Sequence, residues 1–259
     1  MARQTRVESE TSFYHVMMRG NNREFIFSRE DQKKRFMDSL RTELATGSIQ
    51  VAAWCLMDNH VHLVLKGELE ELAQAIKRIN IKYAMGFNHC ESRIGHVFQD
   101  RFRSEVIEND NHLLSVIRYV HNNPVKAKMT ASVETYPWSS YSEYFRDSSL
   151  INQELREMLL SYFSGEFVRF EAFHEQRDDE EYLEIKEDVE KHRIDRAQEI
   201  IAAYCSASGC QDASEYLKNP NDLNALIVEL LDGSRLSHRK IAGLLGISHN
   251  KVHQVSLNR

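Results

Sequence analysis

With 259 residues, 42% of them hydrophobic and 28% charged, the chain has enough apolar material for a sizeable core and exceeds the usual size of one domain. No apolar run approaches the roughly 18 residues of a membrane span, and the first residues lack the apolar stretch of a signal peptide, so a cytoplasmic protein with no membrane partner is expected. The net charge of −6 is uneven: residues 1–146 hold 20 Lys+Arg against 18 Asp+Glu, and 147–259 hold 13 against 21, so an acidic total does not exclude nucleic acid.

In chain order, Phe13 to Met18 reads as a first strand that Arg19-Gly-Asn-Asn22 turns. Ser28 with Glu30 and Asp31 starts a helix whose Phe36, Leu40 and Leu44 recur at helical spacing until Gly47. Ile49 to Met57 and Val61 to Lys66 form two strands joined across Asp58-Asn59. A second helix covers about Leu69 to His89, with Leu72, Ile76, Ile79, Tyr83 and Phe87 along its apolar side. Arg101 to Ile107 is a fourth strand. Asp110 is expected to cap a third helix, about Asn111 to Asn122, which Pro124 ends.

Strand, helix, strand, strand, helix, strand is the split βαβ order of a ferredoxin-like antiparallel sheet with helices on one face, here followed by an extra helix. An α+β fold is therefore expected over 1–146, with the extra helix on the sheet's opposite side. Residues 147–195 read as a charged helical connector; much of the acid lies at Asp178–Glu181 and between Glu184 and Glu190. From Arg196 the pattern is all helical, with Ile200, Ile201, Tyr204, Leu223, Leu226, Ile227, Leu230 and Leu231 as its apolar positions. Its end has the punctuation of a helix-turn-helix: Ser237 as one cap, Gly246 as the turn, Ser248 as the second cap. His249, Asn250 and Lys251 follow, suited to phosphates and base edges, in a stretch (Gly233 to Arg259) with five basic residues and no acidic one. Cys55, Cys90, Cys205 and Cys210 are scattered, which argues against a zinc ribbon or disulfides.

The chemistry-bearing pattern is His60-Val61-His62. Strand side chains alternate between faces, so these two imidazoles project from the same side and can grip one cation. Tyr119 and Asn123 share a helix face by their spacing of four, offering a phenol and an amide oxygen. Two imidazoles, an oxygen ligand and a tyrosine are the parts of a DNA-nicking site. His121, two positions from Tyr119, is expected on the surface or against DNA rather than as a ligand.

Five motifs, Val16-Met-Met-Arg-Gly-Asn-Asn22, Met57-Asp-Asn-His-Val-His-Leu63, Val97-Phe-Gln-Asp-Arg-Phe-Arg-Ser104, Arg118-Tyr-Val-His-Asn-Asn-Pro-Val-Lys-Ala127 and Tyr136-Pro-Trp-Ser-Ser140, cover residues 10 to 145. Together they resemble the single-tyrosine HUH transposases, and within them the REP-associated tyrosine transposases. The resemblance implies that His60 and His62 hold Mg²⁺ or Mn²⁺ and that Tyr119 is the nucleophile. Asn123 stands where related transposases use a glutamine ligand; the shorter amide leaves the third ligand open. It further implies cleavage and rejoining of single-stranded DNA near hairpins through a 5′-phosphotyrosine, with Arg19, Asn21, Gln99, Arg101 and Arg103 holding the strand, in a monomer or homodimer. The tail, 196–259, is similar to the helix-turn-helix domain that ends bacterial replication initiators, which implies duplex DNA as a further partner.

Two other readings stay open: a non-catalytic DNA-binding regulator that recognises hairpins or operators, and a metal-dependent hydrolase of small substrates. The second lacks a further His/Asp/Glu cluster to complete a catalytic zinc site.

Overall fold

The computed structural model describes residues 7–146, 150–176, 186–208 and 220–257; the acidic run Asp178–Glu181, Cys210 and Arg259 lie outside them. The chain divides into two compact units, Met1–Leu183 and Glu184–Arg259. No helix among the described residues is long and apolar enough to cross a membrane. Cys55, Cys90 and Cys205 are free thiols.

In the first unit β1 (Phe13–Arg19), β2 (Gln50–Leu56), β3 (His60–Lys66) and β4 (Arg103–Val106) form an antiparallel sheet in the order β2-β3-β1-β4. The helices α1 (Glu30–Leu44), α2 (Leu69–Cys90) and α3 (Asp110–Lys126) complete the α+β unit. The predicted stripe of α2, Leu72, Ile76, Ile79, Tyr83 and Phe87, is buried along its length. α1 and α2 pack on each other, and the rings of Phe27, Phe36 and Tyr83 meet beneath them, with centroids 5.2–5.6 Å apart. α3 packs instead against β2 and β3.

Register decides which side chains α3 meets. His62 lies opposite Met17 of β1 and Cys55 of β2, Arg19 opposite His60, and His15 opposite Glu105 of β4. Cross-strand partners point the same way, so His15, Met17, Arg19, Cys55, His60, His62, Arg103 and Glu105 share one face. Tyr14, Val16, Met18, Val61, Leu63 and Leu65 point to the other, into the apolar core. Of the predicted Arg101–Ile107 strand, Arg103–Val106 pair with β1, and the Ile107 N–H still reaches the Phe13 carbonyl at 3.0 Å.

Two helix expectations about α3 need correction. Its cap is Asn109, whose side chain accepts the His112 N–H at 2.9 Å, while Asp110 is already in the first turn. Pro124 does not end the helix. Proline removes one helical donor and crowds the preceding turn, yet Ala127 N–H still reaches the Asn123 carbonyl and Met129 N–H the Pro124 carbonyl, both at 2.9 Å. Asn123 and Pro124 are themselves buried, so packing overrides the local breaker and carries Lys126 onto the helix. At the start of α1, the cap position is taken by Arg29 rather than Ser28, and Gln32 Oε1 accepts the Arg29 N–H at 3.0 Å.

The exposed edge of β2 is covered by the Tyr136–Ser140 motif. Trp138 O accepts Leu56 N–H, Trp54 O accepts Ser140 N–H, and the Tyr136 hydroxyl donates to Leu56 O at 2.7 Å. An open strand edge that would invite pairing with another chain is thereby closed. Beyond it, α4 (Gln153–Ser161) and α5 (Phe167–Glu175) contribute Leu155, Leu159 and Phe170 to the same core.

The second unit contains α6 (Lys186–Ser208), α7 (Pro220–Ser234), α8 (His238–Leu245) and α9 (His249–Leu257). Its core gathers Ile200, Leu223, Leu226, Ile227, Leu230, Ile241, Leu245, Val252 and Val255. Gly246 takes the left-handed φ of 66° that ends α8. Ser248 Oγ accepts the Lys251 N–H at 3.3 Å, whereas the Ser237 side chain makes no such bond.

Candidate active site

The Asp58-Asn59 turn is tied down from several sides before it delivers the histidines. Gly20 N–H donates to Asn59 O and Phe27 N–H to Asp58 O, both at 2.8 Å. A Cβ at Gly20 would collide with the Glu24 carbonyl oxygen, so only glycine lets the chain pass here. From this turn β3 carries His60 and His62 onto the α3 side, their ring centres 4.9 Å apart at 85°. Tyr119 lies across from them, 5.6 Å ring to ring from His62 and only 2% exposed. Lys126, two turns further along α3, places its ammonium 4.7 Å from the centre of the Tyr119 ring. Asn123 is buried on the same helix, its amide nitrogen donating to the Tyr119 carbonyl at 2.9 Å.

The structure therefore brings His60, His62, Tyr119 and Asn123 to one side of the sheet. It adds two residues that the sequence reading passed over, His15 and Lys126. His15 is fully buried, its Nε2 is 3.0 Å from His62 Nδ1, and its ring is 5.7 Å from that of Tyr119. Its signal in the sequence was a lone histidine in an otherwise apolar strand, two residues before Met17 on the same face.

Burial keeps all three imidazoles neutral. Desolvation pushes His15 and His60 down to about 3, with smaller contributions from His112 and Arg19 respectively. His62 is held well below the ordinary range by desolvation, then by His60, His15 and Lys126. A neutral imidazole is the form that offers a lone pair to a metal. The His60 Nδ1–H donates to Asn59 Oδ1 at 2.6 Å, which leaves Nε2 as the bare nitrogen.

Of the residues expected to hold DNA, Arg19 and Arg103 share this face of the sheet by register. Asn21 N–H donates to Val97 O and Gln99 N–H to Arg19 O, so the 97–99 segment runs alongside the end of β1. Arg103 is exposed on the edge strand, and Arg101 and Gln99 help line a groove of about 780 Å³ against Gln74 and Lys77 of α2. His249, Asn250 and Lys251 belong to the second unit, at the start of α9, where His249 and Asn250 are exposed. His238, His249 and His253 cluster there, with ring centres 5.6–6.3 Å apart.

His121 is a correction. It is not on the surface: it is fully buried in a chain of hydrogen bonds that ties α3 to α5 and β2. Phe170 O can only accept, so His174 carries its proton on Nδ1 (2.8 Å) and accepts at Nε2 from His121 Nδ1–H (2.9 Å). His121 Nε2 then accepts from the Ser140 hydroxyl (2.8 Å), whose oxygen accepts the Trp54 N–H (2.8 Å). A second proton on His174 would set two donors face to face. Burial holds His174 down at about 4 and His121 well below its usual value. Ser140→Ala breaks two links and leaves a buried N–H and a buried ring nitrogen unmet. A loss of about 2–4 kcal/mol in unfolding free energy is expected by denaturant melts, while Ser140→Thr keeps most of it.

Among the described residues no group of three or more His, Cys, Asp or Glu is arranged to hold a metal ion.

A strand-borne histidine pair thus faces a helical tyrosine on one side of a four-stranded antiparallel sheet. The family described as transposase IS200 like matches residues 9–123, which hold the whole sheet, His60, His62, Tyr119 and Asn123. No curated protein shows a significant match. Among solved structures, one described as a REP-associated tyrosine transposase bound to a REP hairpin is 18% identical, with a TM-score of 0.48, covering 56% of this chain and 86% of its own. Another, described as a candidate transposase from Deinococcus radiodurans R1, is 14% identical, with a TM-score of 0.33, covering 47% and 97%.

Proposed function

We propose that the protein is a REP-associated tyrosine transposase: a metal-dependent transesterase that cuts and rejoins single-stranded DNA beside hairpins. The observation that carries the reading is the approach of the Tyr119 ring to within 5.6 Å of His62, whose ring lies 4.9 Å from that of His60.

The donor set fits a divalent cation. His60 and His62 are neutral, their Nε2 atoms are the free ring positions, and Asn123, with its nitrogen already engaged, has its amide oxygen left to offer. Mg²⁺ or Mn²⁺ suits two imidazoles with oxygen donors completed by phosphate and water. Bound there, it would draw charge from the scissile phosphate.

Tyr119 Oη attacks phosphorus, forming a P–O bond as the bond to the 3′ oxygen breaks. The phenol loses one proton and the departing 3′-hydroxyl gains one. The phosphotyrosine keeps the ester energy, so the same hydroxyl can reverse the attack without ATP. Lys126, beside Tyr119, supplies positive charge where negative charge collects. Arg19, Asn21, Gln99, Arg101 and Arg103 hold the strand and the hairpin, the arginines on phosphates and the amides on unpaired bases. In this reading residues 1–146 do the chemistry and 196–259, a helix-turn-helix, grip duplex DNA through His249, Asn250 and Lys251.

The test is a nicking assay on single-stranded hairpin DNA. Cleavage is expected with Mg²⁺ or Mn²⁺ and lost with EDTA; His60→Ala and His62→Ala should each lower it by roughly 10³-fold or more. Tight hairpin binding with no cleavage under any metal would instead favour the non-catalytic regulator.

A further inference from the structure

We infer that His15 is a positioning residue that sets the tautomer and tilt of His62, so that His62 Nε2 faces the cation; the inference rests on the metal reading above. His15 shares the face of His62 one step along β1, with Val64 rather than His62 as its direct partner. It is wedged between two residues of the site: its ring stacks on His62 at 5.1 Å and 29°, and meets Tyr119 edge-on at 5.7 Å and 71°. The polar contact is His15 Nε2 to His62 Nδ1 at 3.0 Å.

A neutral imidazole carries one N–H. His62 can give Nε2 to a metal only when its proton sits on Nδ1, and that proton then has one place to go, the Nε2 lone pair of His15. His15 must in turn carry its own proton on Nδ1. With both protons moved to the other nitrogens, His15 donates, His62 accepts, and the ligand position of His62 is blocked. In many metal sites a carboxylate or carbonyl plays this part and can only accept. Here the partner is another imidazole whose Nδ1 is buried and meets no partner among the described residues. The pair therefore has two arrangements, of which only one is competent, and metal binding selects it.

Two measurements on the full-length chain without DNA test this. The first is Mn²⁺ affinity by electron paramagnetic resonance. His15→Leu is expected to weaken it by about 10–100-fold, whereas His15→Gln, whose Oε1 can take the place of Nε2 as acceptor, stays within about threefold. Equal losses in both variants, or none in the leucine variant, would overturn the assignment. The second, which needs no variant, is side-chain nitrogen NMR of Mg²⁺-saturated wild-type protein: His15 and His62 should both show protonated Nδ1. A proton on His15 Nε2 would overturn the proposal. Failure of the metal reading itself would look different, as Mn²⁺ affinity unchanged in His60→Ala and His62→Ala.

Discussion

Tyr119→Phe should abolish the covalent protein–DNA adduct formed on single-stranded hairpin DNA with Mn²⁺, lowering its rate by at least about 10³-fold. The substitution removes one oxygen and little else. The phenylalanine ring keeps its place beside His15 and His62, with centroids 5.7 and 5.6 Å away, and stays under the Lys126 ammonium. DNA affinity and melting temperature are therefore expected to hold, which isolates the chemical step. Phenylalanine leaves the imidazoles in place, so Mn²⁺ affinity should hold as well. Adduct formed at the wild-type rate by the variant would remove Tyr119 from the chemistry.

The second large effect is on stability in mild acid. His15, His60, His62, His121 and His174 are buried and held below the ordinary histidine value, with His174 at about 4 and His15 and His60 at about 3. An unfolded histidine takes up its proton near pH 6.5. Because the folded values are lower, the unfolded chain binds more protons in the interval between. Stability is then fully present above pH 6.5 and falls as pH drops toward the folded values. Each histidine contributes a slope approaching about 1.4 kcal/mol per pH unit. Five together approach about 7, against a total of about 5–15 kcal/mol for a typical domain. Thermal melts of the metal-free protein from pH 7.5 to 4.5 should show a steep loss below pH 6, with the first unit unfolding near pH 5. A melting temperature that stays level to pH 4.5 would contradict the neutral, buried state of these rings.

Much of the first unit's architecture was legible because it rests on local patterns. The α2 stripe follows from apolar spacing, the hairpin from Asp58-Asn59, and the facing of His60 and His62 from strand alternation. What the sequence could not show was set by contacts between distant segments. His15 and His62 meet through strand register, which joins residues 47 apart. His121 looked like a surface residue because it lies two positions from Tyr119, on a different helix face, but α5 covers that side and His174 supplies its partner. Pro124 read as a stop since proline breaks isolated helices; the burial of Asn123 and Pro124 outweighs that cost and extends α3 to Lys126. Tyr136–Ser140 carried a family signature without a visible role, and its role is to close the edge of β2.

These sites share one premise, that β3 and α3 present their polar groups to a single cation. Anomalous diffraction from crystals soaked in Mn²⁺ addresses it without assuming any reaction. The account predicts one strong peak in the first unit, bonded to the Nε2 atoms of His60 and His62, with the Tyr119 hydroxyl facing it and His15 on the far side of His62. Full Mn²⁺ occupancy elsewhere in the chain, with no peak between those two imidazoles, would contradict it.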